Sequence, residues 1–137
     1  TMDKIPQFRL KDENGEILIS SFLEGMRMII AYVPDLGDDS VMELQELDSI
    51  YQKLMIRNIP ILAVMPVPTE DLKDLMDREG LRIKLLSDDG SFAESFGVKD
   101  RTTFFIGRES EIIAQWDTPY NSAYVPGIYD KVKSVLK

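Results

Sequence analysis

Two apolar stretches, MRMIIAYV (residues 26–33) and IPILAVMPV (residues 59–67), constrain the fold more than any other feature of the chain. Each has the length of a strand and is almost free of polar side chains, which is the pattern of an interior strand covered on both faces of a sheet. The first is expected at the sheet centre. Between them Val41, Leu44, Leu47, Tyr51, Leu54 and Met55 recur at helical spacing with polar residues in the gaps. That spacing predicts one helix from Val41 to an end at Asn58, laying a single apolar stripe on the sheet. Strand, helix and strand in this order form a βαβ crossover.

The flanking segments fit around this unit. FRLKDENGEILI alternates Phe8 and Leu10 with Ile17 and Ile19 about Asn14-Gly15, a hairpin signal, and SSFLEG reads as a single turn ended by Gly25. Beyond the second strand, Pro66 and Pro68 lead to Thr69, read as an N-cap with Glu70 and Asp71 in the first turn, and the helix closes at Gly80. LRIKLLSDDG is a third strand and turn. Ser91 to Glu94 reads as a capping box for a short helix ending at Gly97. RTTFFI, GRES and EIIAQW form a closing hairpin, and the last helix carries Pro126 in its first turn. The expected fold class is α/β, a mixed central sheet with flanking helices and an N-terminal β-hairpin. No repeat, low-complexity segment or linker interrupts it, so residues 1–137 are read as one domain.

Charge and composition narrow the function. With 24 acidic against 16 basic side chains the net charge is −8, which offers no electrostatic footprint for nucleic acid or an anionic membrane. Neither is expected as a partner. The longest apolar run, Met28 to Val33, is far short of the ~20 residues of a spanning helix, and the N-terminus lacks a signal pattern; a cytoplasmic protein is expected. Thr1 ahead of Met2 reads as an added residue, with Met2 the natural start. The chain has no cysteine and no histidine, which removes disulfides, thiolate chemistry, Cys/His metal sites and the usual near-neutral acid-base group. Its three Asn and four Gln are also few, as in thermophilic proteins.

The loop PDLGDDS (residues 34–40) lies between the central strand and the helix. A helix N-terminus there is suited to an anion, yet the loop fills it with Asp35, Asp38, Asp39 and Ser40. Ser40 and Glu43 have capping-box spacing, with the hydroxyl accepting the Glu43 amide and the carboxylate returning to the Ser40 amide. A serine hydrolase lacks its histidine base. The three Asp residues suit a hard cation by chemistry, but their spacing is not that of an EF-hand loop, and acidic groups ahead of a helix are favoured by its dipole in any case. Tyr32 and Trp116 are read as core or rim packing, and the seven methionines as gap fillers.

Three stretches in order carry a resemblance: IPQFRLKDENGEILISSFLEG at the start, then LLSDDGSFAESFGV, then RTTFFIGRESEI. Over essentially its whole length the chain resembles the thioredoxin-fold peroxiredoxins, particularly the bacterioferritin-comigratory type. The resemblance implies a thioredoxin-like fold and thiol-dependent peroxidase activity, an oxidoreductase function in antioxidant defence, with no metal and no cofactor. It also implies where the chemistry departs. The family carries Pro, then Thr four residues on, then the peroxide-reactive Cys three residues later. Laid on this chain without gaps, those positions are Val33, Gly37 and Ser40; a shift of one residue places Pro34, Asp38 and Val41 there instead. In either register the nucleophile is gone. Arg101 matches the family's arginine, which holds thiolate and peroxide by charge-assisted hydrogen bonds. Here it is read either as an anion clamp or as an ion-pair partner of Asp38 or Asp39.

The chain is therefore expected to be a peroxiredoxin-like domain that has lost peroxidase chemistry and acts by association, as a homodimer or with another protein. An apolar surface near the acidic loop, centred on Tyr32 or Leu36, is the expected contact. One alternative is an active thiol peroxidase whose reactive cysteine has been replaced by Ser40, although restoring it leaves Gly37 without a hydroxyl and Val33 in place of Pro. A second is a small-ligand or metal-binding module built on the acidic loop.

Overall fold

The computed structural model describes residues 3–137; Thr1 and Met2, and with them the expected natural start, lie outside the described residues. Seven strands form one sheet: β1 (Arg9–Lys11), β2 (Ile17–Ile19), β3 (Met28–Tyr32), β4 (Ile61–Met65), β5 (Lys84–Ser87), β6 (Thr102–Ile106) and β7 (Ile112–Trp116), in the order β2-β1-β5-β4-β3-β6-β7. The expected crossover is present, because β3 and β4 are parallel neighbours, as are β4 and β5. β6 runs antiparallel to β3, and β7 antiparallel to β6. This is the mixed α/β architecture of the thioredoxin-like fold, and the fold class read from the sequence holds.

The continuous apolar runs are explained by where alternate residues go. Ile29, Ala31 and Val33 enter one core with Leu44, Leu47, Phe105 and Ile128, while Met28, Ile30 and Tyr32 enter a second core on the opposite face with Phe92, Phe96 and Phe104. A strand whose two faces are both covered disfavours polar side chains, and every residue of β3, β4 and β6 is buried, the two threonine hydroxyls of β6 being hydrogen-bonded, Thr102 to the Asp100 carbonyl and Thr103 to the Tyr124 hydroxyl.

Helical termini depart from the expected pattern in four places. The single helix read from Val41 to Asn58 is two, α1 (Asp38–Ser49) and α2 (Tyr51–Met55), separated at Ile50 with φ −102° and ψ 1°. Its N–H reaches back to Leu47 O at 3.2 Å, a tightened turn that breaks the α ladder while keeping Ile50 and Leu54 on the buried stripe. At α3 (Thr69–Glu79) the N-cap is Pro68, whose carbonyl accepts the Asp71 and Leu72 amides; Thr69 is already inside the helix and meets Glu70. At α4 (Ser91–Phe96) the cap is Gly90; the Ser91 and Glu94 amides that the capping box was expected to hold go to Asp89 Oδ1 and Gly90 O, and the Asp88 carboxylate takes the Gly90, Phe92 and Ala93 amides. The fourth departure, at α1, belongs to the candidate site. Gly80 and Gly97 do end their helices in the left-handed region, and Pro126 lies in the first turn of α5 (Tyr124–Val135).

Candidate functional site

The β3–β6 pairing assembles the site. Tyr32 faces Thr102 in register, so Arg101, one residue before β6, is delivered beside the end of β3 where the 34–37 loop begins. On the other side α1 starts at Asp38 with Gly37 as its N-cap. Ser40 is thus the third residue of the helix, not its cap, and its side chain turns inward, with no exposed surface. Glu43 lies three residues further along the same face and is equally buried.

Ser40 Oγ donates to Asp35 Oδ1 at 2.6 Å, and the same oxygen accepts the Gly37 amide at 3.0 Å. Arg101 Nη2 donates to Ser40 Oγ at 3.2 Å, and Arg101 Nη1 is bonded to Glu43 Oε1. The second oxygen of Glu43 has no partner. The reciprocal Ser40–Glu43 capping box is therefore absent, because Asp35 forms the turn ahead of the helix and Arg101 draws Glu43 away from the backbone. Arg101 pairs with Glu43 instead of Asp38 or Asp39. Its guanidinium carbon stands 5.9 Å from the centre of the Tyr120 ring, at the edge of a cleft of ≈ 320 Å³ lined by Asp39, Asp100, Asp117, Thr118 and Pro119 besides.

Of the positions implied by the resemblance, the structure brings Ser40 and Arg101 together. Ser40, and not Val41, faces the arginine; Val41 packs against the first core. Val33 continues the strand direction, with its N–H on Val64 O at 2.9 Å. Gly37 contributes an amide only, and a Cβ there would stand 3.3 Å from Asp35 Oδ1. Tyr32 is buried and stacks on Phe92 at 6.2 Å, so it cannot centre an interaction surface, whereas Leu36 is 42% exposed. Trp116 packs at the rim of the first core. Among the described residues no group of three or more His, Cys, Asp or Glu is placed to hold a metal ion. Sequence spacing alone missed Glu43 as the partner of Arg101, although an acid adjoining Leu44 on a buried stripe was the available signal.

The electrostatics follow from burial. The hydrogen bond from Ser40, then that from Gly37, and the charge of Arg101 hold the Asp35 carboxyl below its usual range. Burial pushes the Glu43 carboxyl up to about 7, against the opposing pull of Arg101. The sign of its effect on stability follows. Below pH 4.5 Glu43 is protonated both folded and unfolded; above it the unfolded chain releases a proton that the folded chain retains until about pH 7. Stability therefore falls as pH rises through that window, by on the order of 3 kcal/mol. The expected result is that denaturant melts of the native chain lose this increment relative to Glu43→Gln between those limits, and that the Glu43 carboxyl carbon titrates near neutrality by NMR. A midpoint in the ordinary glutamate range would contradict it.

Because Ser40 is enclosed and bonded on two sides, Ser40→Ala is expected to lower stability by about 1–2 kcal/mol, through loss of hydrogen bonds to charged groups. Ser40→Asp should cost more, since a second carboxylate then faces Asp35 inside a filled space. An N-terminal cap would give the reverse order, with Asp nearly neutral, and the two melts distinguish them.

These features together define a peroxiredoxin-type thioredoxin-like fold with a serine opposite its arginine. The AhpC/TSA family pattern matches residues 1–115, and the chain belongs to that family. The family is one of thiol-dependent peroxidases, and this member has no cysteine. Solved structures agree on the fold. Peroxidoxin BcpB from Mycobacterium tuberculosis superposes with a TM-score of 0.89 at 18% identity, covering 98% of this chain and 97% of that one. A cysteine-to-serine mutant of PrxQ from Xylella fastidiosa gives 0.91 at 17%, covering 100% and 99%. The bacterioferritin comigratory protein from Xanthomonas campestris, studied for alkyl peroxide reduction, gives 0.90 at 16%, covering 99% and 100%. No curated protein matches the sequence. Among the described residues no helix is long and apolar enough to cross a membrane.

Proposed function

We propose that this protein is a peroxiredoxin-like domain that has given up peroxide chemistry and acts by association, as a homodimer or with another protein. The observation that carries this is the chain of internal hydrogen bonds, Asp35–Ser40–Arg101–Glu43, at the former site. Ser40 Oγ donates to Asp35 and accepts from Arg101, and Arg101 also serves Glu43. A serine hydroxyl so placed has neither the thiolate character nor the reducible oxidised state that peroxide turnover needs, and the arginine is already engaged by the protein's own groups. The acidic loop is likewise occupied internally, since Asp35 serves Gly37 and Ser40. A site with no chemistry left releases the surface beside it for contact, and Leu36 and Met42 are exposed there at 42% and 50%. Sedimentation velocity over a micromolar concentration series is expected to show dimer growing with concentration. A monomer throughout, together with no co-purifying partner, would count against association.

A second reading is favoured by one contact. Arg101 lies 3.2 Å from Ser40 Oγ, the placement in which it would hold a thiolate, as in an active thiol peroxidase whose cysteine has been replaced by Ser40. Gly37 and Asp35 argue against it, and the Ser40→Cys variant separates the two.

A further inference from the structure

At the opposite end of β3 three arginines meet. Arg27 immediately precedes β3, Arg108 follows β6 across the Met28–Ile106 pair, and Arg57 enters from the turn after α2, which is held there by the bond from Ile29 N–H to Pro60 O at 3.0 Å. Together with Gly25, Met26 and Asn58 they line one cleft of ≈ 420 Å³. The length of β3, at about 3.3 Å per residue, separates it from Arg101, so the two ends are distinct.

None of the described acidic side chains lines this cleft. Among the described residues none of the three arginines forms an ion pair, although the protein carries eight net negative charges. Among the described residues the one side-chain hydrogen bond of the three is long, 3.5 Å, from Arg57 Nη2 to the Leu136 carbonyl. The adjoining cleft, which shares Arg108, brings Glu24 and Glu109 but also Lys4. Three cations held around one open space repel one another, and among the described residues none has an ion-pair partner, in a molecule with acids to spare. Planar guanidinium forks match tetrahedral oxyanions in geometry, and a phosphate monoester offers three acceptor oxygens and close to two negative charges at neutral pH.

We infer that the Arg27–Arg57–Arg108 cleft is a binding site for the phosphoryl group of a soluble small molecule. The net charge disfavours an anionic lipid surface as the source. The site is independent of the proposed loss of chemistry at Ser40.

The test titrates the native chain with inorganic pyrophosphate by calorimetry at low ionic strength. Saturable one-to-one binding is expected, weakened about tenfold by either Arg27→Gln or Arg108→Gln, as for loss of one charge-assisted hydrogen-bonded pair. Absence of saturable binding, or binding that survives the double substitution, overturns the assignment. Should a variant fail to fold, amide shifts in the native chain decide instead: changes confined to Gly25, Met26, Asn58 and their neighbours support the site, and changes elsewhere reject it. Vesicles containing phosphatidic acid form a third arm. Arginine-dependent binding to them in preference to pyrophosphate overturns the soluble-ligand assignment.

Discussion

Glu43→Ala is expected to destabilise the protein by about 3–5 kcal/mol, the range for breaking a buried ion pair from one side. Arg101 is 9% exposed and, apart from Ser40, its guanidinium has Glu43 as its side-chain hydrogen-bond partner. Arginine does not lose its proton in proteins, so removing the carboxylate leaves a permanent charge enclosed by protein, along with a cavity where a fully buried side chain stood. The opposite substitution, Arg101→Met, is expected to cost less. Burial already raises the Glu43 carboxyl to about 7, and without the guanidinium it takes up a proton and becomes neutral. The asymmetry is the diagnostic result. Urea melts at pH 8, where Glu43 is ionised in the native chain, should rank Glu43→Ala below Arg101→Met and both below Glu43→Gln. Equal, small effects for all three would mean that the pair is hydrated and does not organise the site.

The second large effect is kinetic. Ser40→Cys places a thiol at the position nearest Arg101, yet its reaction with hydrogen peroxide is expected to stay within about tenfold of that of a free thiol of ordinary pKa. The local charges act on the new sulfur in opposite senses. Arg101 favours the thiolate, but its charge is offset by Glu43. Asp35, whose Oδ1 lies 2.6 Å from the present Oγ, disfavours it and repels the sulfenate product. Gly37 has no hydroxyl to orient the peroxide, and orientation supplies a large share of any such rate. Stopped-flow measurement of thiol loss gives the rate directly. A rate orders of magnitude above the free thiol would show a preserved peroxidase site and favour Ser40 as a replacement for a natural cysteine.

How much of this was legible in the sequence depended on how local the determining physics is. The strands declared themselves, because a strand covered on both faces is apolar at nearly every position, and in MRMIIAYV and IPILAVMPV only Arg27, which precedes β3, breaks that pattern. Gly80 and Gly97 were legible for a similar reason, each standing at a left-handed position that few other residues accept. The helix starts were not. A cap is decided among residues one to three apart, and Pro68, Gly90 and Gly37 took the role from Thr69, Ser91 and Ser40. In two of those cases an acid further upstream, Asp88 or Asp35, had already satisfied local amides. The break at Ile50 was also hidden, because the tightened turn preserves the buried stripe from which the single helix was inferred. Glu43 and Arg101 are 58 residues apart, and their contact depends on the register of β6 against β3. No local pattern encodes that register. Arg101 could be found by resemblance, but its partner required the sheet to be assembled. The arginine cleft was invisible for the same reason, since Arg27, Arg57 and Arg108 meet only at one pole of the finished sheet.

The central claim is that the site holds its own polar groups in place of a substrate. Hydrogen peroxide consumption by the native chain, followed in the presence of excess dithiothreitol and with contaminating peroxidase excluded, tests it most directly. The account predicts a rate indistinguishable from the buffer and reductant blank. Turnover clearly above that blank, proportional to protein concentration and lost in Arg101→Met, would contradict it.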